Sequence, residues 1–425
     1  MTHDRSRRYS RRTFLKAAAF TSSVLAVPAL VPAASARAAA PVAKRSLALR
    51  TKVGILLPQS SLYPALGHSF LQGFNLANRQ NEVALEPMVV ETGVQQSQIE
   101  ASLNELFRRQ SPDVVLGVMR PEVGAAVQAL LGKHERTLLT AGLSATVPQA
   151  GQRQPWAVDH SLPYWQSAWA LGFWAAGNVG KRAAILHSFF ESGYDASFAF
   201  ASGFQAGGGE IASMSVTHAP TAPNDLARSL ETVAATAPDA VYLGYTGTLG
   251  AEMLRALGGS ELRKLPILAT GALVEGAALH GLGGAALGIR TATPWNLDGK
   301  ETNSTEFIAA YRRAARANPD HWALLGFEVA GLLRAAAQSL KGDWRDPAAA
   351  QAALLVSQTR GPRGLTGPQV AGANTSFAIR EVRQQRGGLH NATLATLNAA
   401  PLADQRIAAL QTALRSGCSL PYLPV

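Results

Sequence analysis

The stretch DVVLGVMRPEVGAAVQALL, residues 113–131, decides the fold. Its apolar residues VVL are typical of a short buried strand, and the alanine-rich second half has the spacing of a helix. A strand that turns directly into a helix is the building unit of α/β proteins. The turn itself, Arg120-Pro121-Glu122, would lie at the carboxyl end of the strand, the edge at which such proteins bind ligands.

Strand-like and helix-like patterns alternate on both sides of this stretch. One series begins with KVGILL at 52–57 and continues to RTLLTA at 136–141. A second series starts near Tyr164 and ends with PILATG at 266–271. This alternation predicts parallel sheets with right-handed crossovers and helices on both faces. The predicted fold class is therefore α/β, with two doubly wound lobes of similar size.

The last third of the chain departs from simple alternation. Strand-like GIRTATPW at 288–295 is followed by three helical stretches, by the turn-rich GPRGLTGPQV at 361–370 and by strand-like FAIREVRQ at 377–384. An added helical block followed by returning strands predicts that the chain passes between the lobes more than once.

The composition limits the classes of function. The 425 residues are 47% hydrophobic, which is ample for one or two sizeable cores. The net charge is +11, but the first 38 residues hold seven basic residues and one acid, so more than half of the charge lies there. The remainder predicts no nucleic-acid partner. Cys418 is the only cysteine, which excludes an intrachain disulfide, and the nine histidines show no metal-ligand spacing.

The N-terminus has the pattern of an export signal. SRRTFLK at 10–16 places two arginines before an apolar stretch, and Ala36-Arg37-Ala38 offers a cleavage site. A membrane anchor is the alternative, but the apolar stretch is short and two prolines interrupt it. Residues 1–38 are therefore predicted to be a cleaved twin-arginine signal peptide that directs the protein to the periplasm.

Several stretches occur in an order typical of one family. KVGILLPQSSLYPALGHSFLQGFNLA (52–77), DVVLGV (113–118), LLTAGLSAT (138–146), DAVYLGY (239–245) and GPRGLTGPQV together resemble the solute-binding proteins of branched-chain amino acid (Leu/Ile/Val-binding) ABC transporters. The resemblance runs from about residue 52 to about residue 398. It implies a type I periplasmic-binding-protein fold, in which three hinge strands join two lobes and the ligand lies between them.

The resemblance also implies the division of the chain. Lobe 1 would comprise residues 52–159 and 296–356, and lobe 2 would comprise residues 160–295 and 357–400. Residues 401–425 would form a C-terminal tail.

Candidate ligand-binding residues lie at the predicted strand ends and on loops that face the cleft in this fold. Backbone N–H groups at helix N-termini and nearby hydroxyls favour a carboxylate, and aromatic residues would supply apolar walls. For each aromatic residue, a place in the core or on the surface is the alternative. The full set is Ser60, Ser61, Tyr63, Arg120, Glu122, Gly142, Leu143, Ser144, Tyr164, Trp165, Tyr245, Thr246 and Gly271.

The chain departs from the amino-acid binders of the family at two points. Where they hold the ligand carboxylate with small hydroxyl residues, this chain has Arg-Pro-Glu, although Ser144 keeps one such position. They hold the α-ammonium with an acid that matches Gly271 or a neighbour, and residues 269–274 contain no acid. We predict that Arg120 pairs with a ligand carboxylate, since a guanidinium matches that geometry. An exposed arginine paired with Glu122 is the alternative.

The predicted function is capture of a small solute. The resemblance implies an exported substrate-binding protein that takes an amino acid-like or organic-acid solute and delivers it to an inner-membrane ABC permease. A sensor of the same fold that feeds a regulator is the alternative. The Arg-Pro-Glu turn and the lack of an acid in residues 269–274 favour an organic acid without an α-amine. GLGGAA at 281–286 follows no strand, so no dinucleotide site is predicted, and no catalytic cluster, metal or cofactor is expected. The protein is expected to be a monomer.

Overall fold

The computed structural model describes residues 49–59, 65–78, 83–93, 95–119, 121–143, 156–188, 195–217, 225–368 and 376–398. The predicted signal peptide and C-terminal tail lie outside these residues. Within the described part of the chain, no helix is both long and apolar enough to cross a bilayer.

The first sheet contains five parallel strands. They are β1 (Leu49–Pro58), β2 (Val83–Thr92), β3 (Val114–Val118), β4 (Leu138–Ala141) and β5 (Ala157–Asp159). Their order is β2-β1-β3-β4-β5. The intervening helices are α1 (Leu66–Asn78), α2 (Gln96–Arg109) and α3 (Pro121–Lys133). All five residues of β3 are buried, as expected for a strand covered on both faces, and β3 is the central strand of this sheet.

The second sheet contains seven strands. They are β6 (Arg182–Ser188), β7 (Glu210–Thr217), β8 (Ala240–Gly244), β9 (Ile267–Ala269), β10 (Arg290–Thr293), β13 (Ser376–Gln385) and β14 (Gly388–Asn398). Their order is β14-β13-β10-β9-β8-β6-β7. The strands from β6 to β10 are parallel, and β13 and β14 are antiparallel additions. Its helices are α4 (Tyr164–Asn178), α5 (Ala196–Ala206), α6 (Asp225–Ala234), α7 (Gly247–Gly258) and α8 (Gly276–Leu282).

Three further helices follow β10 and return to the first sheet. They are α9 (Thr302–Ala315), α10 (His321–Ser339) and α11 (Pro347–Val356). Helix α10 touches α1 backbone to backbone, because a Cβ on Gly73 would lie 1.9 Å from the Ala323 carbonyl oxygen. A Cβ on Gly326 would lie 2.1 Å from the Phe70 carbonyl oxygen. The two glycines therefore fix this late helix on the first lobe.

The chain passes from one sheet to the other after β5, after β10 and after α11. The last passage begins with a two-stranded hairpin, β11 (Thr359–Gly361) and β12 (Gly364–Thr366). The fold is thus two doubly wound α/β lobes with a three-segment hinge. Below, the first lobe is the first sheet with its helices, and the second lobe is the second sheet with its helices.

Candidate functional site

Residues that follow strands of both sheets line a cavity of about 280 Å³. The first lobe contributes the start of α1, Leu143 after β4 and the start of α10. The second lobe contributes the starts of α4 and α7, the turn after β9 and helix α8. Carboxyl ends of parallel strands are where open α/β sheets bind ligands. The cavity therefore lies where the fold predicts a ligand.

Most of the cavity wall is apolar. Leu66 and Trp322 come from the first lobe, and Leu273 and Leu282 from the second. A cavity of about 150 Å³ lined by such side chains accommodates benzene. A volume of about 280 Å³ therefore suits a small acid with one ring or a branched chain.

One end of the cavity is polar because of a buried ion pair. Arg380, on β13, is 1% exposed, and its Nη2 donates to Oε2 of Glu275 at 2.6 Å. The same guanidinium donates to Thr291 Oγ1 at 2.9 Å, to the Gly271 carbonyl at 3.2 Å and to Asn296 Oδ1 at 3.3 Å. Glu275 lines the cavity, so the arginine supports a carboxylate in its wall.

Tyr164 and His321 form a second polar contact, which joins the start of α4 to the start of α10. The Tyr164 hydroxyl lies 2.5 Å from His321 Nδ1, and His321 Nε2 lies 3.3 Å from the Trp295 carbonyl oxygen. Because that carbonyl can only accept, the proton of a neutral ring belongs on Nε2, and Tyr164 donates to Nδ1. Burial lowers the pKa of His321, which keeps the ring neutral. Burial raises the pKa of Tyr164 well above its usual value.

Asp320 adds a buried carboxylate beside this contact. It caps α10 by accepting from the Ala323 backbone N–H at 2.9 Å. Burial raises its pKa to about 6, and the hydrogen bonds from the helix start limit the shift. Gly276 of the second lobe packs against it, since a Cβ there would lie 3.0 Å from the Asp320 Cβ. The two lobes therefore meet at the start of α10.

The sequence matches a known family over most of its length. The matching family is described as periplasmic binding protein, and the match covers residues 50–388. The chain belongs to the periplasmic binding protein family. No curated protein sequence matches the chain. Membership in a family of binding proteins agrees with the expectation that the chain is not an enzyme.

Solved structures of similar fold come from several bacteria. An ABC transporter substrate-binding protein from Sphaerobacter thermophilus is 23% identical, with a TM-score of 0.73 over 82% of this chain and 98% of that one. An ABC transporter solute binding protein from Rhodopseudomonas palustris BisB5, in complex with 3,4-dihydroxybenzoic acid, is 24% identical, with a TM-score of 0.71 over 82% and 98%. A leucine binding protein from Thermotoga maritima MSB8 is 16% identical, with a TM-score of 0.64 over 82% and 99%.

Four of the predicted site residues lie at the cavity of this periplasmic binding protein or beside it. Leu143 and Tyr164 line it. Gly142 precedes Leu143 at the end of β4. Gly271 packs beside Tyr164, and a Cβ on it would lie 2.6 Å from Thr293 Cγ2, which is too close without a shift of that side chain.

Three other predicted residues lie elsewhere. Trp165 packs in the core of the second lobe. Tyr245 is also buried in that lobe, where its hydroxyl bonds Thr217 Oγ1 at 2.9 Å. Thr246 caps α7 and is buried, directly before the cavity residue Gly247. None of these three residues is among the described residues that line the cavity.

The remaining predicted residues fall where the structure gives no side chain. Ser60, Ser61, Tyr63, Arg120 and Ser144 lie outside the described residues. Glu122 belongs to α3, but its side chain is not among those described. Their roles stay predictions.

The polar end of the cavity was not predicted from the sequence. Residues 269–274 contain no acid, and Glu275 lies one residue further along. A 3-10 turn, Gly271–Val274, brings Glu275 back to the cavity. The site therefore does contain an acid after β9, although Arg380 already pairs with it. Arg380 and His321 come from distant parts of the chain, so no local pattern could have marked them.

A second Arg–Glu pair lies at the hinge. Arg363, in the turn of the β11–β12 hairpin, donates to Glu328 Oε1 at 2.9 Å and to Oε2 at 2.7 Å. His160, directly after β5, lies 3.0 Å from Glu328 Oε2 through its Nε2. Glu328 lies on α10 and is 0% exposed. These contacts hold two hinge segments on the first lobe. Burial alone would raise the pKa of Glu328, but the charge of Arg363 and the hydrogen bonds from Arg363 and His160 outweigh burial and lower the pKa to about 2.

A larger cavity of about 970 Å³ lies beside the second and third hinge segments. Its wall includes Lys300, Arg360 and Thr366 from those segments and Thr393 from β14. The start of α9 from the first lobe and strands β13 and β14 from the second lobe line it, but the carboxyl ends of the parallel strands of the first sheet are not among its described lining residues. Open α/β sheets bind ligands at those strand ends. The smaller cavity is therefore the candidate solute site.

Proposed function

We propose that the protein is the exported substrate-binding component of an ABC transporter and that it captures a small organic acid without an α-amine. The observation that carries the proposal is the apolar cavity between the lobes, whose acid, Glu275, is already paired with Arg380. An α-ammonium is attracted most strongly by a carboxylate that has no other cation beside it. The charge of Glu275 is already offset by the Arg380 guanidinium 2.6 Å away, so this carboxylate would bind an α-ammonium only weakly.

The comparisons support both parts of the proposal. Of the three similar structures named above, two are ABC transporter proteins, and one of these is in complex with 3,4-dihydroxybenzoic acid. A single aromatic ring is compatible with the volume and the apolar wall of the cavity. The leucine binding protein of similar fold supports the amino-acid alternative, which the experiment below includes.

The solute carboxylate is proposed to lie at the strand ends of the first lobe. Arg120, Ser60, Ser61 and Ser144 follow strands there in the sequence. The described wall of the cavity supplies no cation directly, since Arg380 lies behind Glu275. An anion therefore needs a partner such as Arg120.

Transport follows from closure of the lobes on the solute. A ligand that touches both lobes binds the closed state better than the open state, and this difference in affinity shifts the population toward closure. An inner-membrane permease would recognise the closed monomer. The proposed hinge separates residues 52–159 and 296–356 from residues 160–295 and 357–400.

The protein is proposed to reach the periplasm by the twin-arginine route, after which residues 1–38 are removed. The supporting pattern is SRRTFLK at 10–16 with Ala36-Arg37-Ala38. Replacement of Arg11 and Arg12 by lysine should leave the uncleaved protein in the cytoplasm. Normal export of that variant, measured by fractionation, would exclude this route.

Thermal-shift screening of the purified protein tests the proposed solute class. Amino acids, their amides, and aromatic and branched organic acids should be compared. An acid at a hundred times its dissociation constant should add about 2.7 kcal/mol to the free energy of unfolding. Arg120→Ala should weaken that binding by more than about tenfold. A shift with amino acids alone would contradict the acid class, and no shift with any of these compounds would contradict solute capture.

A further inference from the structure

Glu275 lines the cavity, and within the described part of the chain only one of its two carboxylate oxygens has a partner. Its Oε2 accepts from Arg380 at 2.6 Å and lies 3.6 Å from His321 Nδ1. No donor among the described residues contacts Oε1. The side chain lines the cavity and is 12% exposed, in contrast to the 1% of Arg380. Oε1 is therefore an open hydrogen-bond acceptor in a largely apolar wall.

The neighbouring polar groups cannot fill this acceptor. The Tyr164 hydroxyl proton is directed to His321 Nδ1, and the His321 Nε2 proton is directed to the Trp295 carbonyl. Asp320 is itself an acceptor, bound by the backbone at the start of α10. This end of the cavity thus offers acceptors, and the donor has to come from the bound molecule.

The charge at this end favours a neutral donor over an ammonium group. Arg380 offsets the charge of Glu275, and the N-terminus of α10 offsets part of the charge of Asp320. A hydroxyl satisfies Oε1 without introducing a charge that would repel Arg380. A hydroxyl also costs less to desolvate than an ammonium in an apolar cavity.

We propose that Glu275, held by Arg380, selects hydroxylated aromatic acids by accepting a hydrogen bond from the ring hydroxyl through Oε1. The inference rests on the proposed function and extends it from a solute class to one substituent. It also assigns Arg380 as a positioning residue that fixes the carboxylate and offsets its charge.

The experiment compares donors with non-donors of similar size. Dissociation constants are measured by calorimetry for 2-, 3- and 4-hydroxybenzoate and for the three matching fluorobenzoates. For the isomer whose hydroxyl reaches Glu275, the hydroxy acid should bind at least about tenfold more tightly than the fluoro acid, because the bond is made to a charged acceptor. The other isomers should show a smaller preference.

Two variants assign the preference to Glu275. Glu275→Gln keeps the shape and an acceptor for Arg380 but can turn a donor toward the cavity, so the hydroxy-over-fluoro ratio should fall at least about fivefold. Glu252→Gln, an exposed residue of α7 outside the cavity, should leave the ratio unchanged. Circular dichroism confirms that both variants are folded. If Glu275→Gln does not fold, the wild-type ratios still test the inference. If none of the three isomers shows a preference for the hydroxy acid, the inference is overturned.

The outcomes separate this inference from the proposed function. If benzoates bind with no preference for the hydroxy acid, the role of Glu275 is overturned and the proposed function stands. The same holds if a preference exists but Glu275→Gln preserves it. A failure of every benzoate to bind would overturn the role of Glu275. If the wider thermal-shift screen also found no acid, the proposed function would fall as well.

Discussion

The protein contains two Arg–Glu pairs whose surroundings differ. At the hinge, Arg363 donates hydrogen bonds to both carboxylate oxygens of Glu328, and the two side chains are 6% and 0% exposed. In the second lobe, Arg380 donates to one carboxylate oxygen of Glu275, a residue that lines the cavity. Both carboxylate oxygens of the hinge pair have a partner, whereas the described residues give a partner to only one oxygen of the cavity pair.

The difference indicates what each pair is for. A buried pair whose donors and acceptors are all satisfied can fix hinge segments to a lobe, but it cannot contact a solute. A pair with one open oxygen can bind a donor, and its arginine controls which donor is suitable. The same two residue types therefore serve structure at one place and recognition at the other.

The comparison predicts the largest effect for loss of the hinge carboxylate. Glu328→Gln removes the charge that both arms of Arg363 contact, so the free energy of unfolding should fall by about 3–5 kcal/mol. Glu275→Gln should cost less, about 1–2 kcal/mol, because Arg380 keeps three neutral acceptors, Thr291, Asn296 and the Gly271 carbonyl. Urea unfolding measures both.

The affinity for solute should follow the opposite order. Glu328→Gln should leave the hydroxy-over-fluoro ratio unchanged, and Glu275→Gln should lower it. Equal losses of stability together with equal changes in the ratio would remove the distinction between the two pairs.

A second prediction concerns pH and sharpens the contrast between buried acids. The pKa of Asp320 is about 6 in the folded protein, above its usual 3.8, so the folded state holds the proton more tightly. Stability should therefore fall as the pH rises from about 3.8 to 6. Asp320→Asn keeps a good helix cap and should remove this loss, which makes the variant more stable than the wild type by about 2–3 kcal/mol above pH 6.

Glu328 gives the opposite pH dependence. Its pKa of about 2 lies below the usual 4.5, so its contribution to stability is complete above pH 4.5 and is lost as the pH falls toward 2.

The control for Asp320→Asn is Asp346→Asn, which makes the same substitution at the exposed cap of α11. Unfolding curves recorded from pH 3 to pH 7 test the prediction. A constant difference between Asp320→Asn and the wild type over that range would contradict it.

Most of the fold could be predicted because its signals are local. The buried strand VVLGV and the alternation around it define a parallel sheet, and the helices from 302 to 356 follow helical spacing. The hairpin β11–β12 and strand β14 were not predicted. The hairpin strands are three residues long, and residues 388–398 are partly exposed along their length, so neither shows a clear apolar pattern.

The candidate site could be predicted only in part. Leu143 was predicted from the end of a strand and Tyr164 from its place on a loop that faces the cleft in this fold, and both residues line the cavity. The end of a strand does not tell which way the next side chain points, and Tyr245, directly after β8, lies in the core, where its hydroxyl bonds Thr217. Arg380 lies more than a hundred residues from Glu275, so their pairing depends on the packing of β13 beside β10. That contact is not encoded in any local spacing.

The central claim is that a small acid is held in the apolar cavity between the lobes. Calorimetric titration of Ala278→Leu with the tightest-binding hydroxybenzoate tests it most directly, because Ala278 lines the cavity and the added carbons would occupy part of its 280 Å³. The wild type should bind one acid per protein, and Ala278→Leu should bind it at least about tenfold more weakly. The control variant Ala349→Leu, on the exposed face of α11, should bind the acid as tightly as the wild type. Unchanged affinity in Ala278→Leu would contradict the claim, since the acid would then bind elsewhere.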